Sequence, residues 1–446
     1  MNLSTSKNII EENKFLVSIY SIIISFIPIS YILGNLFLNL NLFLILLIGT
    51  YTFFKFGGIK LELIDKLIIF LFLFILFTSI FNSAENYVVK INKDDYTILF
   101  KSILYIRYLI LYFAIRLLIE KNLINLKIIY YFYAASVFFV SVDIIYQFFN
   151  GTNILGLKSP FPVKTTGVFY DEAVAGSFIQ RFSFFLLYLL PVFFKFKKKI
   201  LLILLLCFLF TLTLASLYFA ANRMSLALFL MASIIILFTT KTLRKNLIII
   251  ILFFSLILAS LLSINKNFFN HYNAFFHYTI NIVNVYKDRM LGKPRKPNFL
   301  GTLEFRDNIK IPHHVMEFDT FYGTWKMNPL IGGGLKSFRL LCPKRPMHPK
   351  LERTTCNTHP HNYYLEIISD IGLIGLIIIS LIFLKIIYNF YFKFNNLLYK
   401  TPCSPFFYVF FIEAFPIKSS GSFFTTGNSL IIFLSLSFVV SLASKK

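Results

Sequence analysis

His359-Pro360-His361-Asn362-Tyr363-Tyr364-Leu365-Glu366-Ile367-Ile368-Ser369-Asp370-Ile371-Gly372-Leu373-Ile374-Gly375-Leu376 joins a long polar stretch to an apolar run. Pro360 needs no amide partner and has its φ preset, which suits the first turn of a helix and puts His361 in that turn. The positive end of the helix dipole disfavours imidazolium there. It keeps His361 neutral and able to accept a proton, and it attracts anions such as phosphate. On local grounds alone, His361 and Asn362 fit the simpler role of helix caps equally well. Capping is also the reading for His359.

The rest of the chain is membrane-like. Of 446 residues, 57% are hydrophobic and 14% charged, with a mean hydropathy of +0.73, which excludes a soluble globular protein. A formal charge of +24 would suggest nucleic-acid binding in a soluble chain, but here the positive-inside rule accounts for it. Met1–Lys14 is polar, and the apolar run from Phe15 lacks a small-residue cleavage site, so no cleaved leader is expected.

With about 20 apolar residues per span, the sequence predicts an all-α polytopic membrane protein of about twelve transmembrane helices. They fall near 15–33, 36–54, 67–82, 98–119, 128–149, 173–194, 200–217, 222–240, 247–264, 364–388, 404–417 and 428–443. The apolar stretch 200–240 is too long for one span and should turn near Tyr218–Arg223. Three regions follow: spans one to nine in 1–264, a large outer loop in 265–362, and spans ten to twelve in 363–446. Placing Lys195, Lys197, Lys198, Lys199, Lys241, Arg244 and Lys245 in the cytoplasm puts both termini inside and the large loop outside. All chemistry should then face outward.

Asp319–Phe338 in the loop reads as an amphipathic helix ended by Gly332-Gly333-Gly334. Cys342 and Cys356 are close enough in sequence for a disulfide in an oxidising compartment, worth roughly 3 kcal/mol on the chain-entropy model. Cysteine and histidine spacings match no zinc site.

Ionisable residues inside spans mark functional or structural polar sites. Lys101 and Arg107 fall in the outer half of the fourth span, Arg181 about two turns into the sixth, and Arg223 at the outer start of the eighth. An outward basic pocket of this kind suits a membrane-embedded diphosphate, because Arg pairs hydrogen bonds to phosphate oxygens. Each cation has the alternative of snorkelling to headgroups, and Arg116 near the inner boundary is read that way. Glu366 and Asp370, one turn apart, could orient His361 or pair with a cation.

His361-Asn362, then nine residues, then Gly372-Leu373-Ile374-Gly375 resembles the His-(Asn/Ser/Gln)-x9-Gly-x-x-Gly pattern of the O-antigen ligase and polymerase superfamily. Asn328-Pro329-Leu330-Ile331-Gly332-Gly333-Gly334-Leu335-Lys336-Ser337-Phe338 is similar to that family's Pro-Leu-x-Gly-x-Gly-x-x-x-Phe segment, and Asn222-Arg223-Met224-Ser225 to its Ser-Arg-x-x hairpin. Asn222 departs from the usual Ser.

The resemblance implies an inverting, metal-independent and cofactor-free glycosyltransferase of the bacterial inner membrane, with its site facing the periplasm. Its donor would be an undecaprenyl-diphosphate-linked glycan and its acceptor a lipid A-core or growing glycan. His361 would be the base. Arg107, Arg181, Arg223 and Lys101 would hold the diphosphate, and Asn362, His359 and Glu366 would support the base. Gly372 and Gly375, on one helix face, would let another helix approach. Ligase and polymerase remain alternatives, and a transporter using the intramembrane charges is a third. Against the transporter stands the lack of paired repeats.

Overall fold

Long apolar runs in a membrane must satisfy their own backbone, which leaves the helix as the available form. The computed structural model describes residues 3–88, 96–239, 248, 269–274, scattered positions from 277 to 291, 302–303, 311–345, 356, 361–394, 401–416, 418 and 421–444. Nearly all described segments are helical. The exception in β form is a two-residue antiparallel pairing of Thr302 with Pro312 and Leu303 with Ile311.

The helices are α1 (Leu3–Ser25), α2 (Ile27–Leu33), α3 (Asn35–Phe56), α4 (Leu63–Val88), α5 (Tyr96–Tyr105), α6 (Arg107–Glu120), α7 (Leu126–Asn150), α8 (Ala175–Phe193), α9 (Lys199–Phe219) and α10 (Arg223–Thr239). After them come α11 (His313–Trp325), α12 (Tyr363–Phe394), α13 (Ser404–Glu413) and α14 (Thr426–Ser444). Among the described residues nine spans are long and apolar enough to cross a membrane, and Arg223–Ile236 and Ser404–Glu413 are shorter apolar helices. The protein is therefore an all-α polytopic membrane protein, as the sequence predicts. Apart from Ile248, the span expected at 247–264 lies outside the described residues, as does His359.

Two expected spans are jointed. The first bends at Phe26, where Pro28 opens α2. The fourth breaks at Ile106, which places Arg107 at the first position of α6. The hairpin turn falls where the sequence puts it, between Phe219 and Arg223, with Ala221 at φ 50°.

Successive spans alternate in direction, so one end of the bundle collects Tyr31, Asn39, Arg107, Arg181, Glu413 and the starts of α12 and α14. Helix α14 packs against α6, α12 and α13, and α13 packs against α8. Tyr105, Tyr108, Phe424, Phe72 and Phe433 stack between these helices, with centroids as close as 5.0 Å.

At the other end Arg116 is only 2% exposed and pairs with the buried Asp65 of α4, which also accepts from Tyr112 Oη at 2.7 Å. The snorkelling expectation for Arg116 is thereby corrected. A buried carboxylate on the antiparallel neighbour gives the guanidinium a partner inside the bundle, so it need not reach for headgroups.

The long loop before α12 is built into the bundle. The expected helix over Asp319–Phe338 ends early, at Trp325, because the chain then turns to dock on α12. That helix is broken at Gly372, whose φ of 67° and ψ of −173° are not helical. The break frees four backbone groups, and residues 329–334 satisfy all of them. Leu373 N and Ile374 N donate to Pro329 O and Leu330 O at 2.9 and 3.1 Å, and Gly333 N and Gly334 N donate to Ser369 O and Asp370 O at 3.1 and 2.8 Å. Gly372 lies nine residues below the helix start, about 14 Å along the axis. Irregular backbone at that depth is tolerated because protein covers it.

Candidate active site

The start of α12 carries the first site residues. His361 is half-buried and has φ 55°, a left-handed conformation uncommon outside glycine. It does not lie in the first helical turn, as the sequence suggested. Asn362 is the cap: its Oδ1 accepts from Tyr364 N at 3.0 Å and Leu365 N at 3.1 Å, and its Nδ2 donates to Pro416 O at 2.8 Å. The amides that were expected to attract an anion are thus taken by Asn362. Anion binding must come from side chains instead.

Those side chains converge nearby. Arg181 donates from Nε and Nη2 to the two oxygens of Glu413, at 2.9 and 3.1 Å, and from Nη2 to Asn428 Oδ1 at 2.5 Å. Lys418 pairs with the same carboxylate and donates to Tyr363 Oη at 2.8 Å, while Tyr363 Oη donates to Glu413 Oε2 at 2.9 Å. Arg107 donates to Asn39 Oδ1, Tyr108 Oη and Thr426 Oγ1 at 3.0–3.3 Å. Thr426 and Asn428 share the first turn of α14, so Arg107 and Arg181 meet at one helix start. Arg181 and Lys418 face one carboxylate there, and Arg107 joins them through the start of α14.

The turn 414–418 ties this cluster to His361. Its carbonyls at Ala414 and Pro416 accept from Tyr364 and Asn362, and its Lys418 holds Tyr363. Burial without a second carboxylate pushes the Lys418 ammonium down to about 7, although Glu413 favours its charged form. Arg181 cannot give up its proton, so Lys418 is the group that does.

The other expected cations lie elsewhere. Lys101 is within electrostatic reach of Arg339 and Asp370, and Lys336 of the same loop joins that group. Arg223 donates to His271 O at 3.0 Å, beside Lys164, whose ammonium is lowered by burial and then by Arg223. The four cations therefore divide into three groups, and only Arg107 and Arg181 come together.

Glu366 is buried and accepts from Ser422 Oγ at 2.5 Å and Phe423 N at 2.6 Å, which fixes the start of the α14 segment. Asp370 likewise accepts from Lys336 N at 2.7 Å. The glycines do not serve helix packing as expected. A Cβ on Gly372 would meet the backbone of Leu330 and Gly332, and one on Gly375 would meet Ile371 of its own helix, because the neighbour at this depth is the docked loop. Cys342 and Cys356 form a disulfide, with Arg345 Nη1 donating to Cys342 O at 2.5 Å.

The two glycine- and histidine-bearing segments singled out in the sequence thus pack on each other. Residues 201–380 match the family model described as O-antigen ligase. That segment is O-antigen ligase-like. No curated protein matches the chain. The matched stretch runs from α9 through the hairpin and docked loop to α12, so it holds Arg223, Gly332, His361 and Gly372. Arg107, Arg181, Glu413 and Lys418 lie outside it. A multi-pass helical membrane protein thus carries an O-antigen ligase-like segment.

Sequence reasoning missed Glu413, Lys418, Asn428 and Tyr31. Glu413 is the one acidic residue of the apolar stretch 404–417, and an intramembrane carboxylate is itself a signal that a cation must answer.

Proposed function

We propose that the chain transfers a glycan from an undecaprenyl-diphosphate carrier to a sugar hydroxyl of a lipid A-core acceptor, with inversion and without a metal, on the periplasmic face of the inner membrane. His361 accepts the proton of the acceptor hydroxyl as its oxygen attacks the anomeric carbon. The bond from that carbon to the diphosphate breaks, and the carrier leaves as lipid diphosphate. Arg107, Arg181 and Lys418 stabilise the charge that grows on the leaving group. Arg181 acts from a fixed position, since Glu413 already holds its guanidinium.

One observation supports this most: two guanidiniums share the first turn of α14 while the 414–418 turn straps His361's helix start beside them. The left-handed His361 adds to it, because a non-glycine residue in that region is held against its preference. The disulfide and the cytoplasmic surplus of lysines agree with an outward-facing site.

The test is a reconstituted assay with undecaprenyl-diphosphate oligosaccharide, lipid A-core and a chelator. Wild-type protein should glycosylate the core, and His361→Ala should lose about 100-fold or more in turnover. Full turnover by His361→Ala removes the assigned base, and glycan lengthening on the carrier with no core product makes the chain a polymerase.

A further inference from the structure

The end of the bundle opposite His361 carries a feature that glycan transfer does not use. A cavity of about 460 Å³ lies between the α3–α4 connection and the ends of α6 and α14, and Lys60, Leu61, Glu62, Arg116 and Glu120 line it. Two cations and two carboxylates thus face one space. Arg116 is fixed there by Asp65 and, at 3.5 Å, by Glu62, and its buried Nε has no hydrogen-bond partner. A buried guanidinium nitrogen left in that state calls for an acceptor.

Beside this polar cavity runs an apolar groove of about 480 Å³, lined by Phe53, Phe54, Ile110 and Phe113 and sharing Leu61 with it. The groove opens where α3 and α6 cross. Their contact is tight because a Cβ on Gly49 would overlap that of Ala114. Phe54 is 80% exposed and Phe53 53% exposed on a membrane-spanning helix, so the groove faces lipid. The two spaces together have the shape and polarity of a lipid: a charged head, then a tail.

We propose that they seat one aminophospholipid. Its phosphodiester lies against Lys60 and the Arg116 guanidinium, its ammonium between Glu62 and Glu120, and an acyl chain in the groove. Charge complementarity selects this occupant. A headgroup with a phosphate and no amine brings no cation to Glu120 and competes with Glu62 for Arg116. A quaternary choline brings the charge but no N–H donors for them.

The full-length protein in nanodiscs of mixed phosphatidylethanolamine, phosphatidylcholine and phosphatidylglycerol with identical chains provides the test, read by native mass spectrometry of retained lipid. Wild type should retain phosphatidylethanolamine over phosphatidylcholine by about tenfold, the equivalent of one charge-assisted hydrogen bond. Lys60→Gln with Glu120→Gln should bring the two to parity. Both residues are exposed and Arg116 stays intact, so the variant's unfolding temperature in detergent should match wild type. Equal retention of the three lipids by wild type, a preference for phosphatidylglycerol, or an unchanged preference in the variant each overturns the proposal.

Discussion

Gly332 and Gly372 lie backbone against backbone: a Cβ on Gly332 would fall 2.5 Å from Gly372 N, and one on Gly372 would fall 2.6 Å from Gly332 N. Both have positive φ, 70° and 67°. The break in α12 and the loop that repairs it therefore depend on two residues without side chains. Gly332→Ala or Gly372→Ala should each destabilise the protein by about 2–4 kcal/mol, from left-handed strain plus overlap with rigid backbone. Gly151→Ala is the control, since it shares the positive φ of 77° but has open space around it. Trp325, whose Nε1 donates to Pro329 O at 2.9 Å, sits in the docked loop and its fluorescence reports undocking. Equal losses in all three variants would mean that strain, not close approach, sets the effect.

Glu413 answers two buried cations, so its removal should be worse than theirs. Glu413→Gln leaves Arg181 and Lys418 without a carboxylate and should cost about 3–5 kcal/mol in thermal or denaturant unfolding. Adding Lys418→Met should recover part of that loss, because one uncompensated charge then disappears. No recovery in the double variant would show that the two cations do not share the carboxylate energetically.

Much of this was legible in the sequence, and the limit has a physical form. Hydropathy places spans because each must satisfy its backbone alone, and the His361 and Gly332–Gly334 segments stand out because their chemistry is local. The Arg181–Glu413 pair joins positions 232 residues apart and has no local pattern. The break at Gly372 was hidden for a related reason. Glycine in an apolar helix is ordinary in a membrane, and only the loop that fills the gap turns it into a break. His361's place outside the helix also depended on a neighbour, because Asn362 took the capping position that Pro360 seemed to fix one turn earlier.

Lys418 gives the protein a pH response. Its folded value of about 7 lies below the ordinary 10.5, so between the two the unfolded chain keeps a proton that the folded chain releases. Stability should therefore rise as pH increases from about 7 to about 10.5, and the full penalty should be present below about 7. Donor binding should run the opposite way, since Lys418 adds a charge beside Arg181 on acidification. Lowering pH from about 8 to about 6 should reduce KM for the lipid diphosphate in wild type, and Lys418→Met should flatten both that profile and the stability slope. An unchanged pH profile of KM and of unfolding temperature in Lys418→Met would remove Lys418 from both effects.

Arg107 and Arg181 share a helix start, but their substitution should separate binding from architecture. Arg181 is neutralised by Glu413, so Arg181→Lys should mainly lower the unfolding temperature by removing the paired contact. Arg107 has only neutral oxygens as partners, at Asn39, Tyr108 and Thr426, and its buried Nε has none. Among the described residues no carboxylate pairs with it. A full positive charge held by neutral groups at the site end is therefore available to a diphosphate. Arg107→Lys keeps the charge and loses the fork, so it should unfold near the wild-type temperature and lose about 10- to 100-fold in kcat/KM. The decisive measurement is the pair of values for each variant. Wild-type kcat/KM in Arg107→Lys, with a lowered unfolding temperature, would make Arg107 a brace between α3 and α14 and move the leaving-group charge to the Lys164–Arg223 group.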